Sequence, residues 1–145
     1  MSDSNTFRSL LSQPTDAVER PRAIADGHYI GEITRHEFGV SRQKQTPFVR
    51  FFIVPHEETE DVPEGANDGL VLTRRELRRD FYITPNSLYR LSDMLDAVLG
   101  KASGRSFDER IPETRNARVL FQVTHRDSED GTEQYNEVGT IVGVD

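Results

Sequence analysis

The chain has 145 residues, 25 acidic and 18 basic side chains, a net charge of −7 and no cysteine. This length is typical of one domain with its own core, and the lack of cysteine excludes disulfides, thiolate metal sites and cysteine nucleophiles. No apolar run approaches the roughly 18 residues of a membrane span, and residues 1–26 lack the pattern of a signal peptide. We therefore expect a soluble, cytoplasmic protein.

Residues 1–26 are expected to form an extended N-terminal arm, because Pro14 and Pro21 interrupt any long helix. An apolar cluster in the arm favours one helical turn that docks on a partner, and it consists of Phe7, Leu10 and Leu11. Residues 27–145 are assigned to a single domain, which begins at the turn signal Asp26-Gly27.

Three strands are predicted in the first half of this domain, and they span about 28–36, 47–54 and 72–84. The second strand is the clearest, because β-branched and aromatic residues fill it and Pro55 follows it. A hairpin loop at 37–46 precedes this strand, and an acidic loop at 55–70 follows it.

One helix and two further strands complete the domain. Leucine, methionine and valine recur every three or four residues after Pro85, which predicts a helix with one buried stripe that ends at Gly100. An irregular connection at 101–116 leads to the last two strands. They span about 117–126 and 134–144, and the turn signal Asp130-Gly131 joins them.

The predicted element order is β-β-β-α-β-β, which makes the protein mainly β. One helix between strands three and four of five is the arrangement of the oligonucleotide-binding (OB) fold, a small barrel. The same order also fits an open antiparallel sheet with a helix on one face. Strand two is apolar on both faces, which favours closure, so we predict a five-stranded OB-like barrel with an N-terminal arm.

Several short motifs spread over most of the chain resemble those of a known group of proteins. They are a leucine-containing arm that ends in Arg20-Pro21, a Gly-x-Tyr entry to strand one at Gly27 and Tyr29, the stretch Ser-Arg-Gln-Lys before Thr46-Pro47, and a helix that ends in Leu99-Gly100. In these motifs the chain resembles small bacteriophage-encoded OB-fold proteins similar to single-stranded-DNA-binding proteins. The resemblance implies binding of single-stranded DNA, contact with a replication or recombination protein, and a place in the cytoplasm of a host cell.

The charge is distributed unevenly along the chain. Residues 34–54 and 73–90 each carry +3, whereas residues 55–72 and 127–145 each carry −6. The field at one face depends on such local arrangement rather than on the total, so a basic binding face is compatible with a net charge of −7. Ordinary solvated charge is one alternative. In another, the arginines at 73–90 pair with the acidic loop, which then gates the basic groove.

Binding of a single strand requires cations for phosphates and flat side chains on which bases stack. Alternation along strand two puts Phe48, Arg50 and Phe52 on one face and an apolar core set on the other. The other candidate residues lie on strand three and in the loop at 35–46, which the resemblance implies grips the nucleic acid; they are Arg78 and Tyr82, and Arg35, Phe38, Arg42 and Lys44. Alternatively, the two phenylalanines cover the barrel end or pack under the arm.

Motifs for catalysis and metal binding are absent from the sequence. The four histidines lack the spacing of metal ligands, and there is no phosphate-binding glycine loop or nucleophile elbow. We predict a non-catalytic protein with no cofactor or metal. The rival hypothesis is an adaptor that binds a replication, host or defence protein through its acidic surface and its arm. Self-association into a homo-oligomer is compatible with either function.

Overall fold

The computed structural model describes residues 3–15 and 22–144. In chain order its main elements are α1 (Asp3–Leu11), β1 (Gly27–Val40), β2 (Pro47–Glu58), β3 (Leu77–Tyr82), α2 (Leu88–Leu99), α3 (Phe107–Arg110), β4 (Arg118–Asp127) and β5 (Gln134–Gly143). The protein is therefore mainly β, and its 12-residue helix lies between β3 and β4 as predicted. No helix in the described ranges is long and apolar enough to cross a membrane.

The five strands form one antiparallel sheet in the order β3-β2-β1-β4-β5. Because each neighbouring pair is antiparallel, the two edge strands, β3 and β5, run parallel to each other. The sheet curves until Cα atoms of these edges lie within 8 Å of one another. Within the described residues, however, no strand pairing joins the edges, so the sheet is open where a closed barrel was predicted. We call this gap between Leu77–Tyr82 and Gln134–Gly143 the seam.

Arg79 provides a physical reason for the open seam. It pairs across the sheet with the buried Phe51, so its side chain lies on the inner face of β3, and it lines the seam beside Met94 and Ile141. Inward-pointing charges are one of the features that keep sheet edges from pairing, because closure would bury them. An apolar side chain at this position would favour a tighter approach of the two edges.

The core lies on the concave side of the sheet, where alternation predicts it. Val49, Phe51 and Ile53 of β2 are fully buried, as are the alternating apolar residues of β4. Helix α2 packs against β3 and β5 and adds its buried stripe of Leu91, Met94 and Leu95. Full burial of such a side chain contributes about 1.5–3 kcal/mol each.

The first hairpin is longer than predicted. Strand β1 continues to Val40, so the connecting turn shrinks to residues 41–46, and Arg35 and Phe38 lie on a strand rather than in a loop. Strand β2 likewise passes through Pro55 to Glu58.

Pro55 does not end β2 because it lies at an irregularity in the pairing. Gly31 pairs with Pro55 and Ile30 with Glu57, which leaves His56 as an extra residue. On the other side of β2 the pairing with β3 ends at Ile53, so the missing N–H of the proline disturbs no ladder there.

Two predicted elements start later than expected. Strand β3 begins at Leu77, because residues Leu72–Arg74 form a 3-10 turn. Helix α2 begins at Leu88, because Thr84 closes a preceding turn by accepting a hydrogen bond from the Ser87 N–H at 3.2 Å. Gly100 ends this helix with φ at 90°, as its place in the sequence predicts.

The connection at 101–116, predicted to be irregular, contains helical elements from Phe107 to Thr114. A capping box opens α3, in which the Ser106 hydroxyl accepts from the Glu109 N–H and the Glu109 carboxylate reaches back to Ser106. Helix α3 leads into a 3-10 turn at Ile111–Thr114. The buried Arg110 then joins this segment to α2, since its Nη1 lies 2.7 Å from Asp96 Oδ1.

The N-terminal region has two described parts. Helix α1 has nine residues, more than the single turn predicted, and residues 16–21, including Pro21, lie outside the described residues. Residues 22–26 pack on the sheet rather than extending from it. Ile24 is buried, its N–H donates to Asn136 Oδ1 and its carbonyl accepts from Asn136 Nδ2, each at 3.0 Å.

Candidate nucleic-acid interface

The convex outer face of β1, β2 and β3 carries three rows of side chains. Each row takes one residue from each strand, in the order β1, β2, β3. The pairing defines a first row of Gly39, Phe48 and Tyr82, a second of Glu37, Arg50 and Asp80, and a third of Arg35, Phe52 and Arg78. Six of the nine predicted nucleic-acid contacts lie in these rows, and Phe38, Arg42 and Lys44 lie outside them.

The first row is aromatic. The half-buried Phe48 ring lies over Gly39, where a Cβ would come 2.6 Å from Phe48 Cζ. Tyr82 meets Phe48 edge-on, with 6.3 Å between ring centroids, and keeps 48% of its surface exposed. Tyr82 thus presents a ring to solvent, and Phe48 holds that ring in place.

The second row is neutralised by an ion pair. Arg50 donates from Nε and Nη2 to the two carboxylate oxygens of Asp80, at 2.7 and 3.0 Å. These hydrogen bonds raise the pKa of Arg50. Because the bidentate pair is partly buried, Arg50 stiffens the face instead of offering an unpaired charge to a phosphate.

The third row corrects the prediction for Phe52. Its side chain is only 3% exposed, and the guanidinium carbon of Arg35 lies 3.6 Å from the ring centroid. Arg35 in turn bonds to Glu76 at 3.0 Å and to Glu37, and both carboxylates raise its pKa. Phe52 therefore has no open ring face on which a base can stack, because the longer β1 places Arg35 opposite it.

Phe38 also differs from its predicted place. It pairs with Val49, so its side chain lies on the inner face of β1, away from the three rows. Its ring packs edge-on against His36, with 5.6 Å between centroids, and remains 60% exposed beyond the end of the core. Phe38 is therefore not brought together with the other predicted contacts.

Three predicted cations have no acidic partner within the described ranges. They are Arg42 and Lys44 in the turn at 41–46 and Arg78 on β3. The turn and the end of β3 enclose a cleft of about 680 Å³, lined by Arg42, Lys44, Tyr82, Thr84 and Ser87, which we call the Tyr82 cleft. Arg78 lies on the same face four residues before Tyr82, at a distance of about 13 Å along the strand.

The acidic loop does not gate this face. Asp61 accepts from the His28 backbone N–H at 2.8 Å and lies 2.6 Å from the His28 ring, and these bonds lower its pKa. Val62 reaches the core beside Gly27, so the loop covers the start of β1. Within the described ranges, none of the loop's carboxylates lies within 4.0 Å of the arginines at 74, 75, 78 or 79.

Several residues that shape the site were not predicted. Asp80, Glu37 and Glu76 neutralise two of the predicted phosphate contacts, and Thr84 and Ser87 line the cleft. Alternation along β3 places Asp80 on the same face as Arg78 and Tyr82. Only the strand register, which sets Asp80 opposite Arg50, predicts the ion pair between them.

No protein-family model and no curated protein matches this chain. Function is therefore inferred from the outer face itself. No group of three or more histidine, aspartate or glutamate side chains in the described part of the chain is arranged to hold a metal ion.

Proposed function

We propose that the protein binds single-stranded DNA, without catalysis and with little sequence preference. One observation carries the proposal: the exposed Tyr82 ring lies in a cleft with Arg42 and Lys44, neither of which has a carboxylate partner among the described residues. An exposed aromatic ring with unpaired cations around it is the combination that single-strand binding needs.

The proposal assigns different roles to the predicted contacts. Tyr82 stacks on a base and Phe48 supports it from beneath, since the two rings already meet edge-on. Arg42, Lys44 and Arg78 contact phosphates, because their charges are not neutralised within the described chain. Arg35, Arg50 and Phe52 hold the face rigid, and Phe38 has no direct role.

The curved sheet supports the finer proposal of an OB-like barrel. Its strand order, its parallel edge strands and the position of α2 between β3 and β4 all agree with that fold, whose strands two and three and first loop bind oligonucleotides. On this basis we extend the resemblance noted above and propose a role in a phage replication or recombination module.

The test is a fluorescence anisotropy titration of labelled oligo-dT at about 20 mM salt, where electrostatic attraction is least screened. Tyr82→Ala is expected to weaken binding at least about fivefold, since stacking of one base contributes ~1–3 kcal/mol. The matched control is Tyr135→Ala, which removes another exposed tyrosine, from β5 and outside the lining of the Tyr82 cleft.

Two results would contradict the proposal. One is the absence of oligo-dT binding by the unaltered protein at low salt. The other is an equal loss of affinity in Tyr82→Ala and Tyr135→Ala, which would mean that binding does not depend on the Tyr82 cleft. A parallel titration with oligo-rU establishes whether the site prefers DNA to RNA.

A second candidate function, the protein-interaction adaptor, is favoured by helix α1. Its apolar side chains are exposed to solvent: Phe7 at 61%, Leu10 at 57% and Leu11 at 81%. Light scattering during size exclusion tests whether a second copy of the chain covers these side chains. If it does, the double variant Leu10→Asp with Leu11→Asp converts an oligomer into a monomer. A monomer in both proteins, without DNA binding, would favour a replication, host or defence protein as the partner.

A further inference from the structure

The seam contains a second cleft, separate from the Tyr82 cleft. It has a volume of about 310 Å³ and lies between β3 and β5, above α2. Much of its lining is apolar and comes from both edge strands and the helix: Phe81, Met94, Ala97, Ile141 and Val142. An apolar group that entered this cleft would be removed from water on several sides.

Arg79 lies in this cleft with an incomplete set of hydrogen bonds. Its Nη1 donates to the backbone carbonyl of Asp80 at 2.8 Å, and its guanidinium carbon lies 4.5 Å from the Phe81 ring centroid. Its Nε is buried and has no hydrogen-bond partner among the described residues. Buried donors are rarely left without an acceptor, so this N–H requires an explanation.

A second guanidinium, that of Arg90 on α2, lines the same cleft. Burial lowers the pKa of Arg79, and the charge of Arg90 lowers it further because like charges repel each other. Asp93 also lines the cleft, yet no described carboxylate comes within 4.0 Å of either guanidinium. An anion held between Arg79 and Arg90 would remove this repulsion and supply the missing acceptor.

We propose that the seam binds a segment of a partner protein in which a carboxylate is next to an apolar side chain. The carboxylate lies between Arg79 and Arg90, and the apolar group packs on Phe81, Met94 and Ile141. A guanidinium fork matches the two oxygens of a carboxylate, and the open edges of β3 and β5 offer backbone groups to an extended peptide. A nucleic-acid phosphate would leave the apolar lining unused.

This site is independent of the proposed DNA-binding face. Arg78 and Arg79 are neighbours on β3, but their side chains lie on opposite faces of the strand, the outer and the inner. Both sites can therefore be occupied at once, and the protein would join a single strand to a partner protein. Loss of one activity without the other distinguishes failure of this proposal from failure of the first.

The test uses 3-phenylpropionate as the probe, because it joins a carboxylate to an apolar ring. Proton–nitrogen NMR spectra record the Nε–H signals of arginine in the full chain during a titration to about 20 mM. We expect a saturable shift of the Arg79 signal with a low-millimolar Kd, as is typical of a ligand of this size. The neutral 3-phenylpropionamide is expected to shift it at least about fivefold less.

Two variants and one further ligand complete the experiment. Arg90→Gln, at an exposed position, should weaken probe binding as measured on the Arg79 signal. Arg79→Gln should abolish binding as measured on the Nε–H signal of Arg90, which lines the same cleft. Both variants should keep their affinity for oligo-dT. The control is Arg105→Gln, which alters an exposed arginine that is bound to Glu113 and does not line this cleft. This variant should leave the titration unchanged. No shift of the Arg79 signal, an equal shift with the amide, or an equal shift with inorganic phosphate would overturn the proposal.

Discussion

At the scale of single residues, the arginines around Phe52 make it a structural side chain of the sheet. Its ring is covered by the guanidinium groups of Arg35 and Arg78, whose central carbons lie 3.6 and 5.8 Å from its centroid. Contacts of this kind contribute about 0.5–2 kcal/mol, more where water is excluded. An aromatic residue that looks like a stacking platform in the sequence is therefore expected to stabilise the sheet instead.

Truncation of Phe52 tests this role. Phe52→Ala is expected to lower the free energy of unfolding by about 3 kcal/mol, because it removes a buried ring. Phe48→Ala, at a half-buried position of the same face, should cost less. Urea denaturation measures both. Phe52→Leu keeps an apolar side chain, so a loss of DNA affinity in this variant without a loss of stability would contradict our assignment.

His125 gives the protein a local pH dependence. Its Nδ1 lies 2.6 Å from Asp26 Oδ1, and this contact raises the pKa of His125 above its usual value. The protonated form is therefore favoured by folding. Its stabilising effect is fully present below about pH 6.5, the unperturbed pKa of histidine, and is lost as the pH rises through the folded value.

NMR titration of the His125 ring protons measures this effect directly. We expect an apparent pKa above 6.5 in the unaltered protein and a return toward 6.5 in Asp26→Asn. The same substitution should lower stability at pH 5.5 and leave it nearly unchanged at pH 9. A destabilisation of equal size at both values would mean that Asp26 acts through packing rather than through its charge.

At the scale of elements, α2 and α3 are joined by one buried side chain. Arg110 donates to Asp96 on α2 and to the carbonyl of Gly100, at the end of the same helix. Loss of one partner from a buried ion pair leaves the other without compensation.

Arg110→Ala is therefore expected to lower the free energy of unfolding by about 3 kcal/mol, near the lower end for buried pairs because Asp96 is partly exposed. Arg105→Ala is the matched control in the same segment. Its ion pairs with Glu109 and Glu113 are exposed, so its loss should lower the free energy of unfolding much less. Thermal or urea unfolding of the two variants separates these cases, and equal costs would show that Arg110 contributes no more than a surface residue.

The elements that were predicted well are those with a strong period. Val49, Phe51 and Ile53 follow the two-residue repeat of a strand, and α2 follows the three-and-four spacing of an amphipathic helix. Helix α3 was overlooked although its capping box, Ser106 followed three residues later by Glu109, is readable in the sequence. Pro55 was misread because only the pairing shows that it lies at a bulge.

The candidate site was only partly predictable for a related reason. The exposed Tyr82 and the mixed face of β3 follow from alternation within one strand. Two other contacts depend on which residues of different strands lie opposite each other. They are the packing of the Arg35 guanidinium on the Phe52 ring and the ion pair of Arg50 with Asp80. That register is set by the bulges and by the turn at 41–46, neither of which local sequence patterns define.

At the scale of the whole molecule, the net charge of −7 coexists with a face that keeps three cations unpaired among the described residues. Much of the acidic excess lies in the loop after β2 and in the β4–β5 hairpin, away from the Tyr82 cleft. Long-range repulsion of DNA by the total charge is screened beyond about 8–10 Å at physiological salt. Binding should therefore depend on the local cations.

The salt dependence of oligo-dT binding measures how many of these cations contact phosphates. Each neutralised phosphate contributes about 0.7 to the slope of log affinity against log salt for a single strand, so Arg42, Lys44 and Arg78 together predict a slope near −2. Replacement of Arg78 by glutamine should reduce its magnitude by about 0.7. A slope near zero would contradict phosphate binding, and a slope near −3.5 would mean that Arg35 and Arg50 leave their carboxylates.

The unpaired seam also has a consequence for the motions of the molecule. In a closed barrel every strand has two hydrogen-bonded neighbours, whereas among the described residues β3 and β5 are outermost and each is paired on one side only. Helix α2 packs on both of these strands and thereby holds them together. Amide hydrogen exchange is thus expected to be slowest in β1, β2 and β4, which are paired on both sides. The amides of β3 and β5 should exchange faster, through local openings in which their packing on α2 is lost.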